Sequence, residues 1–163
     1  MCFEIKPSYR KHYAKTRRVY KYVKIRDKYE PGNADPVRVL VSPLDWRNPI
    51  EYRVGCTYKA SDGPRRSFYG KLRIKGKLTR IYHAKTGIYV YKSRTQVERN
   101  LDNNVTYAVL VLEVRPSNFL HAGRDGTDMV ATYRKVKVID AYRLIRGKRV
   151  KFKAAYPAKA DKR

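Results

Sequence analysis

The run TYAVLVLEV, residues 106–114, constrains the fold of this chain more than any other segment. It is a nearly continuous series of apolar residues, most of them strong β-formers. A run of this kind, without regular polar alternation, is typical of a strand that is buried inside a sheet. The sequence therefore predicts that residues 106–114 form a central, buried strand.

Alternation of apolar and polar residues predicts further strands. The predicted strands are 19–26, 37–41, 50–59, 67–83, 87–91 and 129–145, where 67–83 and 129–145 each form one strand or two. Gly70 and Gly76 mark bends or hairpin points. Ser93 and Gln96 have capping-box spacing, which predicts a short helix over RTQVERNL. Residues 121–128, HAGRDGTD, read as a loop.

These segments together predict one α+β, mostly β domain of about seven to nine strands with one or two short helices. A chain of 163 residues with 42% hydrophobic residues is long enough for a single packed core. The domain is predicted to cover residues 19–150. An extended basic arm, 1–18, precedes it, and a basic tail, 151–163, follows it.

Two faces are expected for the strand over residues 19–26. The apolar face carries Val19, Val23 and Ile25. The opposite face is aromatic and basic, with Tyr20, Tyr22 and Lys24. Tyrosine beside lysine suits bases stacked over a neutralised backbone, although half-buried tyrosines are also common in sheets.

Charge is the feature that most limits the function. The chain has 39 Lys and Arg against 14 Asp and Glu, a net charge of +25. A polyanionic partner would relieve the resulting self-repulsion. Nucleic acid is favoured over an anionic membrane surface or an acidic protein, and no apolar run approaches the roughly 18 residues of a membrane span.

The basic residues fall into several clusters along the chain, and Arg134, Lys135 and Lys137 add a further basic strand. Any one cluster is usually only a solvated face, but several with little acid between them favour phosphate neutralisation. The predicted nucleic-acid-binding residues are Arg10, Lys11, Lys15, Arg17, Arg18, Tyr20, Tyr22, Lys24, Arg65, Arg66, Lys71, Arg73, Lys75, Lys77, Arg146, Lys148, Arg149, Lys151 and Lys153.

Residues for catalysis or metal binding are not arranged in any familiar motif. The histidines, His12, His83 and His121, lack metal-ligand spacing, and Cys2 and Cys56 form no CxxC pair. No P-loop, GxGxxG or GxSxG is present. The sequence therefore predicts a protein that is not an enzyme and has no cofactor or metal, in a reducing, intracellular compartment.

Three segments carry a family resemblance: EYRVG, KTGIYVYKSRTQVERN and YAVLVLEV, within about residues 50–140. They resemble the ADP-ribosyltransferase core of poly(ADP-ribose) polymerases and their relatives. That resemblance implies a nucleotide pocket in which Arg53 contacts the nicotinamide ribose, Gly87 and Tyr89 line the wall, and Ser93 or Thr95 lies beside it.

The resemblance departs from the family at the catalytic glutamate, which begins the last motif strand. The corresponding strand here begins with Val130, Ala131 and Thr132, and Glu113 lies in a different motif strand. Without that carboxylate the ribose is not polarised in the usual way. The resemblance therefore implies a degenerate, nucleotide-binding version of the fold.

The sequence as a whole predicts a non-enzymatic, sequence-tolerant nucleic-acid-binding protein, for RNA or DNA, that works through phosphate neutralisation with tyrosine stacking. The alternatives are a structural component of a virion or other nucleoprotein assembly, in contact with other proteins, and the degenerate transferase-like domain. The general composition is similar to small accessory or structural proteins of large viruses and phages, which would place the protein in a host cytoplasm or a virion.

Overall fold

A computed structural model describes residues 4–32, 34–42, 50–60, 70–81, 87–101 and 104–153, with the backbone alone described at 70–74 and 78–81. The α-helix is α1 (Arg94–Leu101), and Pro7–Tyr13 and Pro116–Asn118 are 3-10 helices. The strands are β1 (Glu4–Ile5), β2 (Arg18–Lys28), β3 (Val37–Val41), β4 (Glu51–Tyr52), β5 (Thr57–Lys59), β6 (Gly70–Ile74), β7 (Lys77–Ile81), β8 (Ile88–Tyr91), β9 (Tyr107–Glu113), β10 (Phe119–Asp125), β11 (Asp128–Tyr133), β12 (Lys135–Ile145) and β13 (Lys148–Lys151).

All of these strands belong to one sheet. Its main path is β13-β12-β9-β2-β8-β11-β10-β1-β6-β7, with β3 beside β2 and β4, and β5 beside β12. The pairings are antiparallel except that of β1 with β6. The mostly β prediction is confirmed, and the described residues contain 13 strands, more than the predicted seven to nine.

Strand β9 occupies the centre predicted for it, between β2 and β12. Its residues from Ala108 to Leu112 are at most 3% exposed. Alternate side chains enter two different apolar clusters, Leu110 in one and Val111 in the other. We call the sheet side of Leu110 the inner face and the side of Val111 the outer face.

The inner face carries the larger cluster, which draws side chains from β2, β3, β4, β8, β9, β10, β11 and β12. This cluster therefore runs along the sheet path from β12 to β10. The outer face is covered by α1, whose Val97 and Leu101 pack against tyrosines and valines of β8 and β9. The helix confirms the prediction for RTQVERNL.

A bulge in β12 sets which of its side chains face outward. The register with β9 shifts between Val138 and Asp140. The extra residue reverses the alternation, so Val138 and Ala141 both lie in the inner cluster and Tyr142 lies in the outer one. Lys135 and Lys137, before the bulge, are exposed on the outer side.

The N-terminal segment, predicted as an extended basic arm, has local structure and core contacts. Strand β1 pairs with β10 and β6, and the backbone N–H of Lys6 donates to Ala122 O at 2.9 Å. Ile5 is 6% exposed and Tyr13 is 1% exposed. Apolar side chains at these two positions attach the otherwise basic segment to the sheet. The predicted C-terminal tail lies outside the described residues from 154 onward.

Two local predictions are wrong. Residues 50–59 do not form one strand, because a turn at Gly55, with φ of 89°, separates β4 from β5. Val54 is consequently 49% exposed, whereas Tyr52 is 1% exposed. Residues 121–128 are not a loop: most of them lie in β10, and the turn is confined to Gly126 and Thr127. The hairpin predicted at Gly76 is confirmed between β6 and β7.

Candidate nucleic-acid interface

A cleft of about 290 Å³ opens beside the first residues of β12. Strands β5 and β9 flank β12 at this point, and the chain leaving β9 closes the remaining side. The lining residues are Thr57, Glu113, Arg115, Asn118, Lys135, Val136 and Lys137. The lining is therefore mainly polar and carries three cations and one carboxylate.

Strand register places the charged residues of this region in rows. Lys137 of β12 is opposite both Thr57 of β5 and Glu113 of β9, and Glu113 is opposite Arg18 of β2. Lys135 is opposite Lys59. Directly opposed residues on neighbouring strands project from the same side of a sheet. These side chains therefore form one patch on the outer face.

The local sequence explains why the lysines face outward. In Lys135-Val136-Lys137-Val138, the two valines are 1% and 0% exposed, so period-two alternation turns the lysines to solvent. On β9 the buried run ends at Glu113, which is exposed. Burial of the apolar partners on the inner face thus fixes the direction of the charged ones.

Backbone hydrogen bonds hold the rim of the cleft. Arg134 N–H donates to Asn118 O at 2.7 Å, and Val114 N–H donates to Arg17 O at 2.9 Å. These bonds fix the exposed Arg17, Arg115 and Arg134 at the edge of the cleft. We use the name basic cleft for the pocket together with the cations Arg18, Lys59, Arg115, Lys135 and Lys137.

Among the residues that the structure describes, Glu113 is the only carboxylate that lines this pocket. In the part of the chain that the structure describes, no hydrogen bond or ion pair engages its side chain. A group of cations around a single carboxylate attracts phosphate and leaves one strong hydrogen-bond acceptor inside the site.

Farther along the outer face, arginines lie over the tyrosine rings. The Arg94 guanidinium is 5.3 Å from the Tyr20 ring centre and 5.5 Å from that of Tyr142, and Arg149 is 5.9 Å from Tyr142. These are cation–π distances. The rings therefore already contact cations of the protein itself.

The carboxylate of Glu98 binds both a tyrosine and an arginine of this group. Glu98 of α1 accepts from the Tyr142 hydroxyl at 2.6 Å and from Arg149 Nε at 2.7 Å. Burial by itself would raise the pKa of the Glu98 carboxyl, but the hydrogen bonds from Arg149 and Tyr142 outweigh it and hold the pKa below its usual range. Burial, and then Glu98, raise the pKa of Tyr142 well above its ordinary value.

Tyr22 packs against Tyr91 and Tyr107, with ring centres 5.9 Å away in both cases. Burial raises the pKa of Tyr22 above its ordinary value. Tyr20 and Tyr22 are both half-buried under protein side chains. Base stacking on these two tyrosines stays a prediction, and it would require their present neighbours to move.

The other predicted binding residues are divided among separate places. Arg10, Lys11 and Lys15 are exposed on or just after the first 3-10 helix, and Lys24 is half-buried on β2. The hairpin between β12 and β13 carries Arg146, Lys148, Arg149 and Lys151, and Lys153 follows it. Lys75 and Lys77 are in the β6–β7 hairpin. For Lys71 and Arg73 the backbone alone is described, and Arg65 and Arg66 are outside the described residues.

Within the described part of the predicted binding set, Arg18 belongs to the basic cleft and Arg17 lies at its edge. The alternating Lys135 and Lys137 were visible as a basic strand in the sequence. Lys59 and Arg115 were missed, because nothing near them in the sequence shows that they lie beside β12.

The residues assigned to a nucleotide pocket have partners in different places. Arg53 donates to Glu51 at 3.2 Å, and the Tyr89 hydroxyl donates to Asp125 at 3.0 Å. Gly87 lies against the backbone of Tyr133, so closely that a Cβ would be 2.7 Å from the carbonyl oxygen. Ser93 is half-buried just before α1. Gly87 therefore supports close strand packing in the structure.

The described residues contain no group of three His, Cys, Asp or Glu side chains that could hold a metal ion. Cys56 is exposed with a free thiol. None of the helices in the described ranges is long and apolar enough to cross a membrane.

Comparisons with protein-family models, with curated proteins and with solved structures find no match to this chain. The resemblance to ADP-ribosyltransferases therefore stays a prediction. What can be inferred about function depends on the geometry and charge of the residues themselves.

Proposed function

We propose that this protein binds nucleic acid by neutralising backbone phosphates, with the basic cleft as the principal contact. The observation that supports this most is the convergence of Arg18, Lys59, Arg115, Lys135 and Lys137 on one face, from four different segments. Lysine and arginine side chains displace condensed counterions from phosphates, so binding needs no base-specific contact.

The width of the patch fits several phosphates. Lys59 on β5 and Arg18 on β2 are separated by three strand spacings, through β12 and β9. At about 4.8 Å per spacing this is roughly 14 Å. Over that length of its axis, a B-form duplex passes about four phosphates of one strand, since the rise along the axis is about 3.4 Å per nucleotide. Five cations on this patch therefore match a short stretch of backbone.

Salt dependence gives the proposal a quantitative expectation. About four to five neutralised phosphates predict a slope of log affinity against log salt near −4 for duplex DNA and near −3 for a single strand. Between about 50 and 200 mM salt, affinity should then fall by roughly two orders of magnitude. Binding that depended on apolar contacts would change little over the same range.

The experiment measures fluorescence anisotropy of labelled single-stranded RNA, single-stranded DNA and duplex DNA across salt concentrations. The test variant is Lys135→Gln with Lys137→Gln. The matched control is Lys148→Gln with Lys151→Gln, which removes the same charge from exposed positions on β13. We expect the cleft variant to lose about tenfold or more in affinity and to flatten the slope by about 1.8 for duplex DNA and about 1.4 for a single strand, because two phosphate contacts are removed.

The control shows whether the cleft contributes more to binding than another basic part of the surface. An equal loss in both double variants would mean that binding is spread over the whole basic surface and would contradict the cleft as principal site. Negligible binding of all three nucleic acids by the unaltered protein would contradict the proposed function itself. The proposal involves no catalysis and no cofactor.

A further inference from the structure

Glu113 is out of place in a site that only neutralises phosphate. It lines the basic cleft, and its neighbours across the strands are Lys137 and Arg18. A carboxylate at this position repels a phosphate and lowers the affinity that the surrounding cations provide. Its presence calls for another role.

The contribution of the Glu113 side chain to folding is limited to the charge interaction with its cross-strand neighbours. The side chain is exposed at the end of β9 and makes no hydrogen bond or ion pair among the residues that the structure describes. Other carboxylates of the chain join elements together: Glu4 bonds Arg124, and Glu98 bonds Arg149 and Tyr142. Glu113 instead lines the pocket in which a ligand would lie.

The rest of the lining favours a ligand that has both phosphate and hydroxyl groups. Lys135, Lys137 and Arg115 supply donors for phosphate oxygens, and Glu113 supplies an ionised acceptor. Thr57 and Asn118 add groups that can both donate and accept. In a nucleic-acid backbone, the hydroxyl beside each phosphate is the 2′-hydroxyl of ribose, which DNA lacks.

We propose that the basic cleft holds a short segment of an RNA strand, with its successive phosphates on Lys135, Lys137 and Arg115 and one 2′-hydroxyl donating to Glu113. This inference depends on the proposed nucleic-acid binding and narrows it to RNA. A hydrogen bond to an ionised acceptor is stronger than a neutral one. The carboxylate thus repels the phosphates of both RNA and DNA, but only RNA gains a hydrogen bond that offsets this repulsion. The site therefore binds RNA more tightly than DNA.

The test compares single-stranded RNA and DNA of the same length and sequence, with uracil also in the DNA, by anisotropy at one salt concentration. A third probe is the same RNA with 2′-O-methyl groups, which keeps the oxygen but removes the donor. The protein variants are Glu113→Gln and Glu113→Ala. Asp27→Asn removes the same charge at an exposed position of β2 outside the cleft lining and serves as the control.

We expect the unaltered protein to bind RNA roughly tenfold more tightly than DNA or 2′-O-methyl RNA. A ratio of this size is the net effect of one hydrogen bond to a charged group, after the cost of desolvation. Glu113→Ala should abolish that preference while strengthening DNA binding severalfold, because repulsion is removed. Glu113→Gln should reduce the preference only in part, since its amide oxygen still accepts. Asp27→Asn should keep the full preference.

Equal affinity of the unaltered protein for RNA and DNA would overturn this inference and leave phosphate binding intact. A preference for RNA that survives Glu113→Ala, or that 2′-O-methyl RNA shares, would overturn it as well. Absence of binding to every probe would overturn the proposed function together with the inference. Circular dichroism of each variant verifies that the exposed substitutions leave the fold unchanged.

Discussion

Replacing Gly123 by alanine should detach the N-terminal strand from the sheet. Gly123 of β10 is directly opposite Ile5 of β1. An added Cβ would lie on the carbonyl oxygen of Glu4, 2.7 Å from its carbonyl carbon and 3.0 Å from Ile5 Cα. Every one of these atoms is backbone, so no side-chain rotation can relieve the clash, and the two strands must separate.

The magnitude follows from what β1 contributes. Ile5 is 6% exposed, and losing its burial costs about 1.5–3 kcal/mol. The backbone bonds of β1, including Lys6 N–H to Ala122 O, add about 1 kcal/mol each. We expect Gly123→Ala to lower the free energy of unfolding by about 3–5 kcal/mol, which corresponds to a Tm lower by roughly 8–16 °C in a chain of this size.

The matched control is Gly126→Ala in the turn after β10. Gly126 has φ of 61° and open space around it, so alanine there meets backbone strain without a clash. That strain costs about 1–2 kcal/mol. Urea denaturation and thermal melts of both variants give the comparison.

A second measurement shows which strands the Gly123→Ala substitution releases. Among the described pairings, β6 joins the sheet through β1, so loss of β1 should also release the β6–β7 hairpin. Amide hydrogen exchange in β6 should accelerate in Gly123→Ala and stay slow in Gly126→Ala. If Gly123→Ala were no more destabilising than Gly126→Ala and left exchange in β6 unchanged, the reasoning about this close approach would be refuted.

Two further predictions concern charge. The pKa of Glu98 is held below its unfolded value, so its stabilisation is present at neutral pH and is lost as pH falls through the folded pKa. In urea denaturation, unaltered protein should be more stable than Glu98→Gln by about 1–2 kcal/mol at pH 7, and that difference should shrink below about pH 4.5. An unchanged difference at pH 3 would show that the carboxylate charge is not the cause. Because the net charge is +25, the Tm of the protein alone should rise between about 20 and 500 mM NaCl as repulsion is screened. A falling Tm would mean that ion pairs outweigh repulsion.

Elements with strong local periodicity were predictable from the sequence. The apolar run of β9, the alternation of β2 and the segment RTQVERNL each have a pattern that one conformation satisfies. Strand β10 was missed because HAGRDGTD contains turn-forming residues. Gly123 is in this strand because the backbone of Glu4 lies too close for a Cβ. Local sequence does not show this contact, since the two residues are far apart in the chain.

The candidate site was predictable only in part, for a similar reason. The alternation Lys135-Val136-Lys137-Val138 shows from sequence alone that the lysines share a face. That Lys59, Arg18 and Glu113 are beside them depends on the register of β5, β9 and β2 with β12 and with one another. Register between strands distant in sequence is set by packing of the whole inner cluster, which no local pattern encodes.

The few carboxylates of this basic chain include several that form ion pairs away from the cleft, and the cations of the cleft have no such ion pairs among the described residues. Several of the carboxylates join separate elements: Glu4 with Arg124 of β10, Glu98 with Arg149 of β13, and Asp128 of β11 with Arg99 of α1. Each pair neutralises a cation away from the cleft. The cations of the cleft lack such ion pairs in the described chain, so their charge stays available to a partner where four segments converge. In the proposed function, a partner with regularly spaced negative charge complements this distribution, and the role we propose for Glu113 is to select which backbone the cleft accepts.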